Sequence, residues 1–118
     1  MISFKKFHML TKLLEVGWHP NIFELLGWLD EEVLSIVVTS TYRPYDSAQS
    51  DSGVHSTIPL RGTDIRSYIY KDAQELVDKI NKKFEYDPDR PDMKCAVLHD
   101  TGRGIHIHLQ VHDNTRWR

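Results

Sequence analysis

The nine residues Gly104-Ile-His-Ile-His-Leu-Gln-Val-His112 alternate apolar and polar side chains without a break. A period of two is the repeat of an extended strand and is incompatible with a helical stripe. Ile105, Ile107, Leu109 and Val111 must then lie on one face of a sheet, and His106, His108, Gln110 and His112 on the other. The apolar face calls for helices to cover it. The second face is built mainly of imidazoles, which bind metals and move protons near neutral pH. Four of the chain's seven histidines fall in its last twenty residues.

The rest of the chain supplies the covering elements. Ile2, Phe4, Phe7, Leu10, Leu13, Leu14 and Val16 recur at spacings of three and four, predicting an amphipathic helix over residues 2–16 that stops at Gly17. His19-Pro20 opens a second short helix, since a proline is tolerated in the first turn. The β-branched run from Val33 to Tyr42 reads as a buried strand. Residues 43–57, with Pro44, Gly53, four serines and two aspartates, read as a long loop, and residues 58–69 as extended chain. Loops of this length inside compact domains are commonly functional.

Lys71 to Phe84 is the third helix, entered through an Asp72/Glu75 capping box. Residues 86–92 form a turn. Lys94–His99 and Ile105–His112 are two strands of a hairpin closed by residues 100–104. The order α-α-β-β-α-β-β specifies an α+β fold, one domain over residues 1–118, with a mainly antiparallel sheet and the helices packed on one side.

Composition narrows the chemistry. A single cysteine, Cys95, excludes an internal disulfide framework and an all-cysteine metal site. Its apolar surroundings mark it as a buried core thiol, and Trp18, Trp28 and Trp117 as core or rim packing. The formal net charge of -2 offers no global attraction to nucleic acid. No apolar run reaches the roughly 20 residues that span a bilayer. Lys12 and Glu15 interrupt any secretory h-region, so the chain is expected to be cytoplasmic as synthesised and to have no membrane partner.

Three constellations bear on function. His106 and His108 share a strand face and can share a metal or a substrate. His55, ending the long loop, and Asp64, on the next extended segment, can converge with one of that pair into a His2Asp set. Such a set leaves the fourth position of a zinc ion open to water. Arg43, in Thr39-Ser-Thr-Tyr-Arg-Pro44, follows a buried strand and can clamp a carboxylate or polarise a carbonyl.

The succession Ser/Thr-x-Tyr-Arg, then His55 and Asp64, then the His-x-His strand resembles the lysostaphin, D-alanyl-D-alanine metallopeptidase and hedgehog family. It looks most like the carboxypeptidase and murein endopeptidase branch that includes phage endolysins. The resemblance covers residues 39–112 and implies a hedgehog/DD-peptidase-like fold. It implies zinc held by His55, Asp64 and His108, and Arg43 on the substrate carbonyl or its tetrahedral intermediate. Gln49, in the same loop, joins Arg43 as an expected substrate-binding residue. Gly62 stands two residues before Asp64, where the family uses a small residue.

Two features depart from the family pattern. The His-to-Asp spacing is nine rather than seven, with Gly53 in place of a serine. No glutamate follows Glu85, so the usual base before the third ligand is missing. His106 is therefore the expected base or oxyanion stabiliser, with Asp100 and His99 in reserve. The reaction implied is zinc-dependent hydrolysis of an amide bond in peptidoglycan stem or cross-link peptides, by a monomer acting on the wall after release.

Two other readings fit parts of the sequence. His-φ-His-φ-Gln, with φ apolar, also resembles the histidine-triad nucleotide hydrolases and transferases, which would leave His55, Asp64 and Arg43 unused. A hedgehog-like module holding zinc without catalysis would use all three metal ligands. Replication-initiator and relaxase nucleases share His-hydrophobic-His, but no tyrosine follows Tyr86 and the acidic balance disfavours DNA.

Overall fold

The N-terminal apolar stripe splits into two elements. The computed structural model describes residues 1–41, 54–100 and 104–118, with the side chain of His55 outside the description. In it, Ile2–Phe4 is strand β1 and the helix α1 begins only at Phe7, running to Val16. The helix expected from residue 2 is thus shortened by a strand. The reason is tertiary: Ile2 and Phe4 lie opposite Ile36 and Val38 in a parallel pair. The Met1 ammonium is anchored on Asp30 Oδ1 at 2.7 Å. Gly17 ends α1 as expected, at a positive φ of 74° that glycine adopts without strain.

Helix α2 spans Pro20–Glu32. His19 is its N-cap and accepts a hydrogen bond from the Asn21 N–H at 3.0 Å, a capping role that its sequence position alone did not suggest. The following strand is shorter than its β-branched run: β2 covers Ile36–Ser40. A 3-10 turn at Val54–Ser56 precedes strand β3, Gly62–Arg66. Helix α3 spans Ala73–Lys83, and Asp72 caps it by accepting from the Glu75 N–H at 3.0 Å. Phe84–Glu85 (β4), Ala96–Asp100 (β5), Ile105–Gln110 (β6) and Arg116–Trp117 (β7) complete the order.

The main sheet has the order β1-β2-β3-β6-β5. The β1–β2 pair is parallel and the other three pairs are antiparallel, so this α+β fold carries a mixed, mainly antiparallel sheet. The two-stranded β4–β7 ribbon, unforeseen from sequence, sets Phe84 against Trp117 at 4.9 Å between ring centroids.

Register fixes the two faces. Ile65 lies opposite Ile107, and Ile107 opposite Leu98; Thr63 lies opposite Leu109, and Leu109 opposite Ala96. Ile36, Val38, Ile65, Ile107 and Leu109 share one core with Leu13 of α1, Ile22, Leu25, Leu26 and Leu29 of α2, and Leu76, Val77 and Ile80 of α3. Burying these side chains supplies the main driving force for the fold.

The outer edge of β5 is shielded by one side chain. Asn81 of α3 donates from Nδ2 to the Ala96 carbonyl at 2.8 Å and accepts from the Ala96 N–H at 2.9 Å. Cys95 is fully buried beside it, and burial pushes its thiol pKa up to about 12. Among the described residues, no helix is long and apolar enough to cross a membrane.

Candidate metal centre

The face of the sheet turned away from the helices carries the polar half of the alternating strand. Asp64 of β3 lies directly opposite His108 of β6, Arg66 opposite His106, and His106 opposite His99 of β5. Asp64, His99, His106, His108 and Gln110 therefore share one face. Asp100 lies opposite Ile105, so by alternation it belongs to the other face. Of the two reserve bases, the register places His99 beside His106 and turns Asp100 away.

Asp64 and His108 form the centre of this face. His108 Nδ1 and Asp64 Oδ1 are 2.9 Å apart, and both side chains are less than a tenth exposed. His108 Nε2 lies 3.1 Å from Gln110 Oε1. The His99 ring stands 6.3 Å from that of His108 between centroids. His106 Nδ1 is buried and has no hydrogen-bond partner among the described residues. A buried imidazole nitrogen in that condition costs free energy unless something polar engages it.

Two backbone features bring the neighbouring segments to this pair. The register shifts between Val38 and Ser40: Val38 lies opposite Ile65, and Ser40 opposite Asp64. A bulge of this kind bends the strand and redirects its side chains, here directly beside Asp64. The second feature is Gly62, on the same face as Asp64. A Cβ there would fall 2.9 Å from Val54 Cβ and 3.3 Å from the Val54 carbonyl carbon. Glycine lets the 3-10 turn lie directly on β3, two residues from Asp64. Thr57 fastens the turn, its Oγ1 donating to the Val54 carbonyl at 3.1 Å and accepting from the Arg61 N–H at 2.8 Å. The backbone of His55 is thereby held in this turn.

Asp64 and His108 provide one oxygen and one nitrogen donor of the types zinc takes. Two ligands at about 2.0–2.1 Å from a tetrahedral ion are separated by roughly 3.3–3.4 Å. The pair needs to open by only a few tenths of an ångström to share one. Among the described residues, no group of three or more histidine, cysteine or carboxylate side chains forms a metal cage. The third expected ligand is His55, whose side chain lies outside the description. Arg43 and Gln49 also lie outside the described residues. Sequence reasoning passed over Gln110 as a partner of His108; its signal was its place on the histidine face.

A second polar cluster lies beyond the end of β6. Asp87 is buried and accepts from the Asp89 N–H at 3.0 Å, from Arg90 Nε at 3.3 Å and from Asn114 Nδ2 at 3.4 Å. The Asp89 N–H, with Asn114, Arg90 and nearby His112, holds its carboxyl below the usual carboxylate range, against the opposing effect of burial. His112 Nδ1 accepts from the Asn114 N–H at 3.1 Å, so His112 is tied into this turn rather than into the Asp64–His108 pair.

No family model, curated protein or solved structure matches this chain.

Proposed function

We propose that the chain is a zinc-dependent peptidase of the hedgehog/DD-peptidase type, hydrolysing an amide bond in peptidoglycan stem or cross-link peptides. The observation that carries this reading is the buried Asp64–His108 pair, set beside the turn that holds His55. The order of residues along the chain supports it: an arginine after β2, a histidine before β3, an aspartate on β3 and His-x-His on β6. The close packing of Gly62 under Val54 supports it as well, because it gives a physical reason for a small residue two positions before Asp64.

In this reading His55, Asp64 and His108 hold the zinc. When bound, zinc supplies a Lewis acid and an activated water at neutral pH. His106, on the same face as His108, takes up a proton at a ring nitrogen and passes it to the leaving amine. Arg43 directs its fixed fork of N–H donors at the substrate carbonyl as charge develops there. Gln49 adds a polar contact to the peptide.

Digestion of purified muropeptides by zinc-loaded protein, with products scored by mass, tests this function. Loss of one terminal alanine would identify a carboxypeptidase, and opened cross-links an endopeptidase. Absence of cleavage from every wall peptide would overturn the catalytic reading and leave a binding module.

A further inference from the structure

We infer that Gln110 is a positioning residue that decides which nitrogen of His108 faces the metal. This role rests on the zinc reading for the identity of the ion and on hydrogen-bond geometry for the rest. Gln110 is buried, and its Nε2 donates to the Lys94 carbonyl at 2.7 Å. A carbonyl can only accept, so this bond fixes the orientation of the amide. Gln110 Oε1 then faces His108 Nε2 at 3.1 Å. An amide oxygen has no proton to give, so His108 Nε2 must carry one and donate it.

The consequence falls on the other nitrogen. With Nε2 committed as a donor, a neutral His108 has its lone pair on Nδ1. That lone pair points at Asp64 Oδ1 from 2.9 Å. Two lone pairs at that distance repel unless a proton or a metal ion lies between them. With the zinc of the proposed function in that place, Gln110 assigns Nδ1 as the coordinating nitrogen of His108. Partners of this kind on the far side of a metal-binding histidine set its tautomer and ring orientation.

The chain of command runs through backbone. Lys94 precedes β5, and its carbonyl is fixed because the next residue, Cys95, accepts from the Gln110 N–H at 2.9 Å through its own carbonyl. Both the amide side chain and the main chain of Gln110 are therefore tied to the same segment. His108 cannot rotate to present Nε2 to the metal without giving up its hydrogen bond to Gln110 Oε1.

The test uses long-range proton–nitrogen NMR of the His108 ring in the full chain, with and without zinc, together with zinc calorimetry. In the unsubstituted protein, Nε2 is expected to keep its proton in both states, and Nδ1 to be the nitrogen that changes on zinc addition. Gln110→Met, similar in size without the amide, should give mixed ring tautomers and bind zinc about 10- to 100-fold more weakly. Gln110→Glu keeps an acceptor for the Nε2 proton and should retain Nδ1 coordination.

Coordination through Nε2 in the unsubstituted protein would overturn the inference. So would a natively folded Gln110→Met variant with an unchanged ring spectrum and unchanged affinity. Absence of zinc uptake by the unsubstituted protein would instead overturn the metal reading. The metal-free ring spectra of the two proteins would still decide the role of Gln110: loss of the fixed Nε2 proton in Gln110→Met supports it, and retention contradicts it.

Discussion

Val54 and Gly62 are in van der Waals contact so close that glycine is the only residue β3 can hold at that position without displacing the turn above it. Gly62→Ala should therefore shift the Val54–Ser56 turn and cost about 1–3 kcal/mol, the usual range for overpacking a filled site. Val54→Ala in the same chain should recover part of the loss. Urea denaturation of the two single variants and the double variant checks this, with a coupling energy of opposite sign to the Gly62→Ala loss as the expected result.

His106 shares its face with the proposed metal ligands and has a buried nitrogen without a partner among the described residues. His106→Ala is expected to keep the zinc and to lose roughly 10²-fold or more in peptide hydrolysis, the scale for a general acid–base group. The variant should also fold, because removing an unsatisfied polar atom relieves a burial cost. Zinc loss from His106→Ala with retention in His108→Ala would reverse the assignment of ligand and base.

The Asn81 side chain closes the edge of β5 by pairing with both polar groups of Ala96. Asn81→Leu leaves an N–H and a carbonyl unpaired next to the core, at a cost of about 1–3 kcal/mol for each group that water cannot reach. Amide hydrogen exchange at Ala96 should accelerate selectively in this variant, and the thermal midpoint should fall.

Acid stability follows from Asp87. Its carboxyl pKa is held down by the Asp89 N–H first, then by Asn114, Arg90 and His112. A folded-state pKa below the unfolded value of about 3.9 means that the stabilisation is complete above that value. It disappears as pH falls through the folded-state pKa. Asp87→Asn should therefore flatten the acid limb of a stability–pH profile while lowering stability at neutral pH, measured as urea midpoints across the acid range.

The elements with strong local signals were legible. Alternation in Ile105–Val111 fixed both faces of β6, Asp72 marked the start of α3, and Pro20 the start of α2. The strand at Ile2–Phe4 was not legible, because its three residues continue the apolar spacing of α1 and become extended only through pairing with β2. The β4–β7 ribbon rests on contact between segments more than thirty residues apart, which no local pattern records. Of the candidate site, the shared face of Asp64, His106 and His108 depends on register between β3 and β6. Sequence gave the alternation within β6; only the pairing brought Asp64 opposite His108 rather than its neighbours. Gln110 was hidden for a related reason: a glutamine on a polar face reads as solvent-facing until its partners, His108 and the Lys94 carbonyl, are seen.

We propose that Asp64 and His108 share a metal ion with His55. Isothermal titration of zinc into chelator-treated protein, with metal analysis of the product, tests it most directly. About one zinc per chain is expected for the unsubstituted protein, and none for Asp64→Ala or His108→Ala in chains that remain folded. Absence of uptake by the unsubstituted chain, or full uptake by both variants, would contradict it.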